Sequence, residues 1–273
     1  MEALKLLYCT VPGRLLLKVL TWPALSRAAG RFLDSGLSRP LIPLFIRKAH
    51  IDLADFEPVE YRCFNDCFTR KILPGKRAWD PDPAAFTAPC DGKLTVWPVH
   101  EGLVLPVKQS LYSIERLLGD AELARRFEDG WCFVYRLCVE DYHRYAYVES
   151  GQKEPDRFLP GILHTVRPIA LENVPVFTEN SRSMTVLHTE DRGTMVQMEV
   201  GAMLVGRISN HEPGAAAVEK GAEKGMFLYG GSTVLVLAEK GVVQPDQRFL
   251  QASAAGREVP LRMGERVGIT QDL

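Results

Sequence analysis

Nowhere in the chain do about 20 apolar residues run together, so the segment that a transmembrane helix needs is missing. The first apolar stretch is short, is broken at Pro12 and Gly13 and carries no convincing cleavage site, so no secretory signal peptide is expected. Cys-x-x-Cys pairs are absent too. The six cysteines, Cys9, Cys63, Cys67, Cys90, Cys132 and Cys138, are scattered and no histidine stands at a spacing that suits zinc, so thiols in a reducing compartment and no metal site are expected. Internal repeats and low-complexity tracts are also lacking. Strong net charge is absent as well, the formal total being -1 at pH 7. That small number hides an asymmetry. Residues 1 to 50 hold eight Lys or Arg against two acids, Glu2 and Asp34, a local balance of +6, which leaves -7 for the remainder. Basic residues confined to one end of an otherwise acidic chain argue against nucleic acid as the main partner.

What is present is an ordinary folding composition. With 273 residues, 46% of them hydrophobic and 25% charged, the chain can bury a substantial core in one or two domains. Prolines at 12, 23, 40 and 43 divide residues 4 to 48 into short helices. Leu15, Leu16, Leu17, Val19, Leu20 and Trp22 give these helices apolar surface, while Arg14, Lys18, Arg27, Arg31 and Arg39 give them positive charge. Such a pattern suits an amphipathic arm at a membrane interface, spanning 1–55, with the competing reading a helical cap whose basic residues are simply solvated. Phe64 to Leu73 reads as a helix with Phe64 and Phe68 on one face, stopped by Pro74-Gly75, and 111 to 127 as another. Between and beyond them, short alternating segments such as Phe133–Val139 and Val196–Val200, separated by Gly, Pro and Asp, predict an antiparallel β-rich domain over 56–273. The expected class is α+β.

Chemistry concentrates in Lys220 to Thr233, which runs into the apolar strand Val234-Leu-Val-Leu-Ala238. Gly-Gly-Ser-Thr alone is equally an ordinary turn. At the mouth of a buried strand, however, it sets the Ser232 hydroxyl beside the unshielded Gly231 carbonyl. Attack of Oγ on that carbon turns the amide into an ester; loss of the Ser232 α-proton then expels the upstream chain, and hydrolysis of the remaining enamine leaves a pyruvoyl group. Three further clusters lie at strand ends: Asp91-Gly92, a turn signal by itself; Asp141-Tyr-His143-Arg144, a histidine bracketed by charges; and Phe177 to Arg182, where Asn180 and Arg182 could bind an anion or form a loop ion pair.

Taken in order, Phe64 to Arg70, Pro89-Cys-Asp-Gly92, Asp141-Tyr-His-Arg144, Leu163 to Pro168, Phe177 to Arg182, Val200 to Ile208 and Lys220 to Thr233 resemble the phosphatidylserine decarboxylase family over nearly the whole chain. That resemblance implies a pyruvoyl enzyme that cuts itself at Gly231-Ser232 into chains 1–231 and 232–273, with the pyruvoyl group made from Ser232 as its cofactor. It implies Ser232, His143 and Asp91 as catalytic residues, with His143 as base and Asp91 as the group that orients it. Substrate contacts fall on Asn180, Arg182 and His164. Many members carry a second histidine where this chain has Ala146, so His164 is a second candidate for the base. The partners implied are phosphatidylserine, an anionic phospholipid membrane and the two cleaved chains, with a homo-oligomer left open; the place implied is peripheral, on the cytoplasmic side of the cytoplasmic membrane. Competing readings are a pyruvoyl decarboxylase of a soluble amino acid or another serine-headed lipid, a serine hydrolase that never splits, and a membrane-binding β protein without catalysis.

Overall fold

A computed structural model of the protein describes residues 2–100, 104–107, 110–171, 173–202, 207–230 and 232–271. The fold is α+β, and it is arranged around the strand Ser232–Ala238, all of whose residues are buried. Thr194–Val200 and Trp131–Leu137 flank that strand, both antiparallel to it. Arg182–His188 and Gly92–Pro98 lie next outward, and shorter strands extend the whole to nine. Two covered faces explain why Val234 to Ala238 are apolar at every position. Leu235 and Leu237 enter one core with Val134, Val196, Met198 and Phe177. Val234, Val236 and Ala238 enter the other with Phe86, Phe133 and Tyr135. Since side chains alternate along a strand, Ser232 belongs to this second face.

A three-stranded antiparallel sheet of Arg144–Ala146, Glu223–Phe227 and Ile208–Asn210 covers the second face, contributing Tyr145, Phe227 and Ile208 to the same core. His143, immediately before the first of these strands, is thereby carried inward, toward the end of the large sheet where Ser232 begins.

Among the first 48 residues the helices are Glu2–Cys9, Val11–Leu20, Pro23–Leu33 and Ile42–Lys48, with a 3-10 turn at Gly36–Leu41. Pro12, Pro23 and Pro43 stand in first turns, where a missing N–H removes no helical hydrogen bond, and Pro40 falls inside the 3-10 turn. Leu17, expected on the surface, turns inward with Tyr8 to join the first core. Leu15, Leu16 and Trp22 remain 62%, 53% and 62% exposed. No described helix is long and apolar enough to cross a membrane.

Two helices differ from expectation. The one beginning at Phe64 ends at Phe68 rather than running to Leu73, because Arg70 folds inside and donates to the Glu140 and Asp141 carbonyls while Ile72 forms a bridge with Phe56. The helix expected over 111–127 is two short ones, Ile114–Leu118 and Ala121–Arg125. Gly119, at φ 65°, closes the first, and the Asp120 carboxylate caps the second by accepting from the N–H groups of Glu122 and Leu123.

Candidate active site

The turn into the central strand passes through Gly230 at φ 138°, backbone that side chains disfavour. Gly231 lies outside the described residues. Ser232 follows, 1% exposed, and its Oγ has no hydrogen-bond partner. A buried hydroxyl without a partner costs about 1–3 kcal/mol, so its retention at the mouth of the sheet points to use rather than packing.

His143 is fully buried against the Phe68 ring, 4.0 Å between centroids. Its Nδ1 lies 2.9 Å from the Asp141 carbonyl oxygen, which can only accept. Nδ1 therefore carries the proton, and Nε2 makes no hydrogen bond, with the Gly230 backbone near the ring. Burial pushes the imidazole down to about 3, against the opposing pull of the Asp141 and Gly230 backbone. The ring is neutral at pH 7 and lies by the Gly230 backbone, two residues before Ser232.

Asp91 does not orient this ring. Its carboxylate takes Arg77 in a fork, with Nε to Oδ1 at 2.8 Å and Nη2 to Oδ2 at 2.5 Å, and accepts the Met263 N–H at 2.9 Å. The place expected for Asp91 at Nδ1 belongs to the Asp141 carbonyl. Asp91 instead borders a cleft of about 790 Å³ with Arg70, Arg77, Lys93, Asp141 and Tyr142. In that cleft burial raises the Asp141 carboxyl to about 6, although the Cys138 N–H holds it at 2.6 Å. Arg77→Met strands the Asp91 charge, so about 3 kcal/mol of stability is expected to vanish in a urea titration at pH 7.

The residues expected to contact substrate are hydrogen-bonded within the fold. Asn180 is fully buried, accepts the His164 N–H and donates to the carbonyls of His164 and Gly201. Arg182 donates to the carbonyls of Leu117, Arg116, Thr178 and Asn180, which leaves little for an anion. His164 has both ring nitrogens engaged: its Nδ1 meets the Tyr8 hydroxyl at 3.2 Å and its Nε2 the Glu179 carboxylate at 3.3 Å. Tyr8, 2% exposed, is thus the pin that fastens the first helix. Tyr8→Ala empties that socket and should lower the unfolding free energy by about 3 kcal/mol, read as an earlier thermal midpoint.

Sequence reasoning missed Arg77, and it missed a second buried pair. Glu199 and Lys224, both 0% exposed, meet at 2.6 Å between the two sheets. Gln197 and Glu199 alternate with Val196, Met198 and Val200, a rhythm that reads as a solvated face when only one side of a sheet is thought to be covered. No local signal distinguishes the two cases. Among the described residues no cluster of His, Cys, Asp and Glu could hold a metal ion.

A serine shut away from water, its oxygen unbonded and a neutral imidazole at hand, is the arrangement of proteins that use an internal hydroxyl as a reagent. The phosphatidylserine decarboxylase family profile matches residues 64–269. Over 270 residues the chain is 40% identical to phosphatidylserine decarboxylase proenzyme 2 of Clostridium acetobutylicum, covering 98% of this chain and 92% of that protein. It is 36% identical to the phosphatidylserine decarboxylase proenzyme of Ruminiclostridium cellulolyticum, covering 97% and 90%, and 34% identical to that of Clostridium kluyveri, covering 97% and 92%. The chain belongs to the phosphatidylserine decarboxylase family.

Proposed function

We propose that this chain splits itself between Gly231 and Ser232 into 1–231 and 232–273, turns Ser232 into a pyruvoyl group, and then decarboxylates phosphatidylserine to phosphatidylethanolamine and carbon dioxide. The observation that carries the reading is the buried, unpartnered Ser232 Oγ at the start of the central strand. The relatives' names, which include both the substrate and the word proenzyme, support it. The site also fits the group. Ser232 stands where neither bulk water nor another side chain competes for it, with His143 close by. A pyruvoyl ketone supplies an electron sink for the pair released when a carboxylate departs.

The protein's own residues supply the rest. His143, buried beside the turn into Ser232, acts as the proton carrier during turnover. The sheets on either side exclude water, which favours loss of a charged carboxylate as neutral gas. Arg70, Arg77 and Lys93 bring positive charge to the cleft beside Asp91, suited to an anionic headgroup.

The amphipathic arm fits a substrate that resides in a bilayer. Leu6, Val11, Leu15, Leu16, Trp22, Phe32 and Leu37 stand exposed on it. Arg27 and Arg31 line a groove of about 390 Å³ with Phe158, Leu163 and Arg207 of the body. Apolar side chains seated in the interface with cations at headgroup level give peripheral attachment, each cation contributing about 1 kcal/mol. All six cysteines are unpaired, which suits the cytoplasmic side of the membrane.

Intact mass of the purified protein tests the reading: two chains are expected, the shorter beginning at position 232 with a carbonyl. A single full-length chain that still decarboxylates the lipid would overturn it. Flotation tests the membrane part. Binding to vesicles containing phosphatidylserine should exceed binding to neutral vesicles at low salt and weaken toward 0.5 M salt.

A further inference from the structure

Phosphatidylserine carries two anionic groups, and decarboxylation removes only one of them. The phosphodiester stays on substrate and product alike, so a site that holds it strengthens binding without touching the chemistry. We infer that the groove between the helix Pro23–Leu33 and the body is that site, with Arg27 and Arg31 gripping the phosphodiester of the substrate lipid. The inference deepens the proposed function and rests on it.

Charge gives the first reason. The groove is lined by three cations, Arg27, Arg31 and Arg207, against one anion, Asp34, a balance of +2. Arg207 and Asp34 meet at 2.9 Å, and Asp34 also accepts the Asn65 amide at 2.8 Å. Arg27 and Arg31 are left over: among the described residues neither guanidinium has a hydrogen bond or an ion pair. Four apart on one helix, they stand on the same face with Cβ atoms about 5–6 Å apart, a spacing that lets two planar forks share one phosphate.

Two features of the wall show room kept for a ligand. Ser26 is 6% exposed, yet its Oγ has no hydrogen-bond partner, so a buried donor stands unused at the groove. Gly30 lies inside the helix, where glycine is the least favoured residue after proline. No tight contact demands it, since a Cβ built there meets nothing within 4 Å. Open space is what this glycine preserves.

The opposite wall relates the groove to Ser232. Leu228 and Asn65 both line it, and Asn65 accepts the Tyr229 N–H at 3.2 Å, three residues before Ser232. A phosphodiester at Arg27 and Arg31 thus leaves the serine end of the headgroup facing the turn that carries Ser232. Phe158, 62% exposed, and Leu163 offer apolar surface to the glycerol and the first acyl carbons. Arg70 lies just past the other end of the Phe64–Phe68 helix, in the cleft beside Asp91, so carboxylate and phosphodiester find cations at opposite ends of one short helix.

The test uses dihexanoyl-phosphatidylserine below its micellar concentration, so that attachment to a bilayer plays no part. Arg27→Gln/Arg31→Gln should raise KM by about 10-fold or more and leave kcat within about twofold, as loss of uniform binding requires. Gly30→Leu, which puts a side chain into the groove and favours the helix, should raise KM likewise with an unchanged or higher thermal midpoint. Both variants should split like the wild type, because the cut is intramolecular and needs no lipid. Wild-type KM in either folded, split variant overturns the inference, as does a loss confined to kcat. Failure of the wild type itself to split or to decarboxylate the lipid overturns the broader reading instead.

Discussion

Ser232→Ala is expected to remain one chain of 273 residues and to release no carbon dioxide from phosphatidylserine. Both losses follow from one atom. Without Oγ nothing attacks the preceding carbonyl, and without that ester there is no elimination and no residue from which a ketone can be made. The fold should survive, since the change deletes a buried hydroxyl that bonds to nothing and leaves a methyl group among Leu137, Val234 and their neighbours. Removing such a group is neutral or slightly stabilising. Intact mass, a thermal melt and trapped carbon dioxide therefore belong in one experiment: one mass, an unchanged midpoint and zero turnover are the expected set. Normal splitting with normal turnover would show that position 232 is not the reagent.

His143→Ala is expected to slow both of the reactions that Ser232→Ala abolishes. His143 is buried beside the turn into Ser232, and burial keeps its ring neutral. Splitting should slow and kcat should fall, each by roughly 10²–10⁴, for want of a positioned proton carrier. The missing ring leaves a cavity beside Phe68 that costs about 2 kcal/mol, well short of unfolding. Wild-type splitting of a folded His143→Ala chain would take the histidine out of self-cleavage; full decarboxylation would remove it from turnover.

Much of the scaffold is legible where one local rule dominates. Proline admits few positions in a helix, so Pro12, Pro23 and Pro43 mark where the arm breaks. Five successive apolar residues after Ser232 require a strand covered on both sides, and it is the middle of the large sheet. The Phe64 helix was overextended because nothing nearby announces that Arg70 will turn inward to carbonyls 70 and 71 residues away. Similarly, Asp91 pairs with Arg77 across a turn rather than with His143, and His164 with Tyr8 across 156 residues.

The amino-acid order by itself marked out the Gly231–Ser232 bond proposed for cleavage, the apolar strand behind it and the basic, proline-punctuated arm, because each depends on neighbours in the chain. Tertiary structure alone decided which polar groups stand near that bond and which merely hold the walls. A carboxylate at Glu199 looks solvated until a second sheet closes over it, and Asn180 and Arg182 look free until carbonyls from distant turns take their donors. Burial shifts proton affinity only once the whole molecule has excluded water, so the lowered proton affinity of His143 is a property of the packed fold.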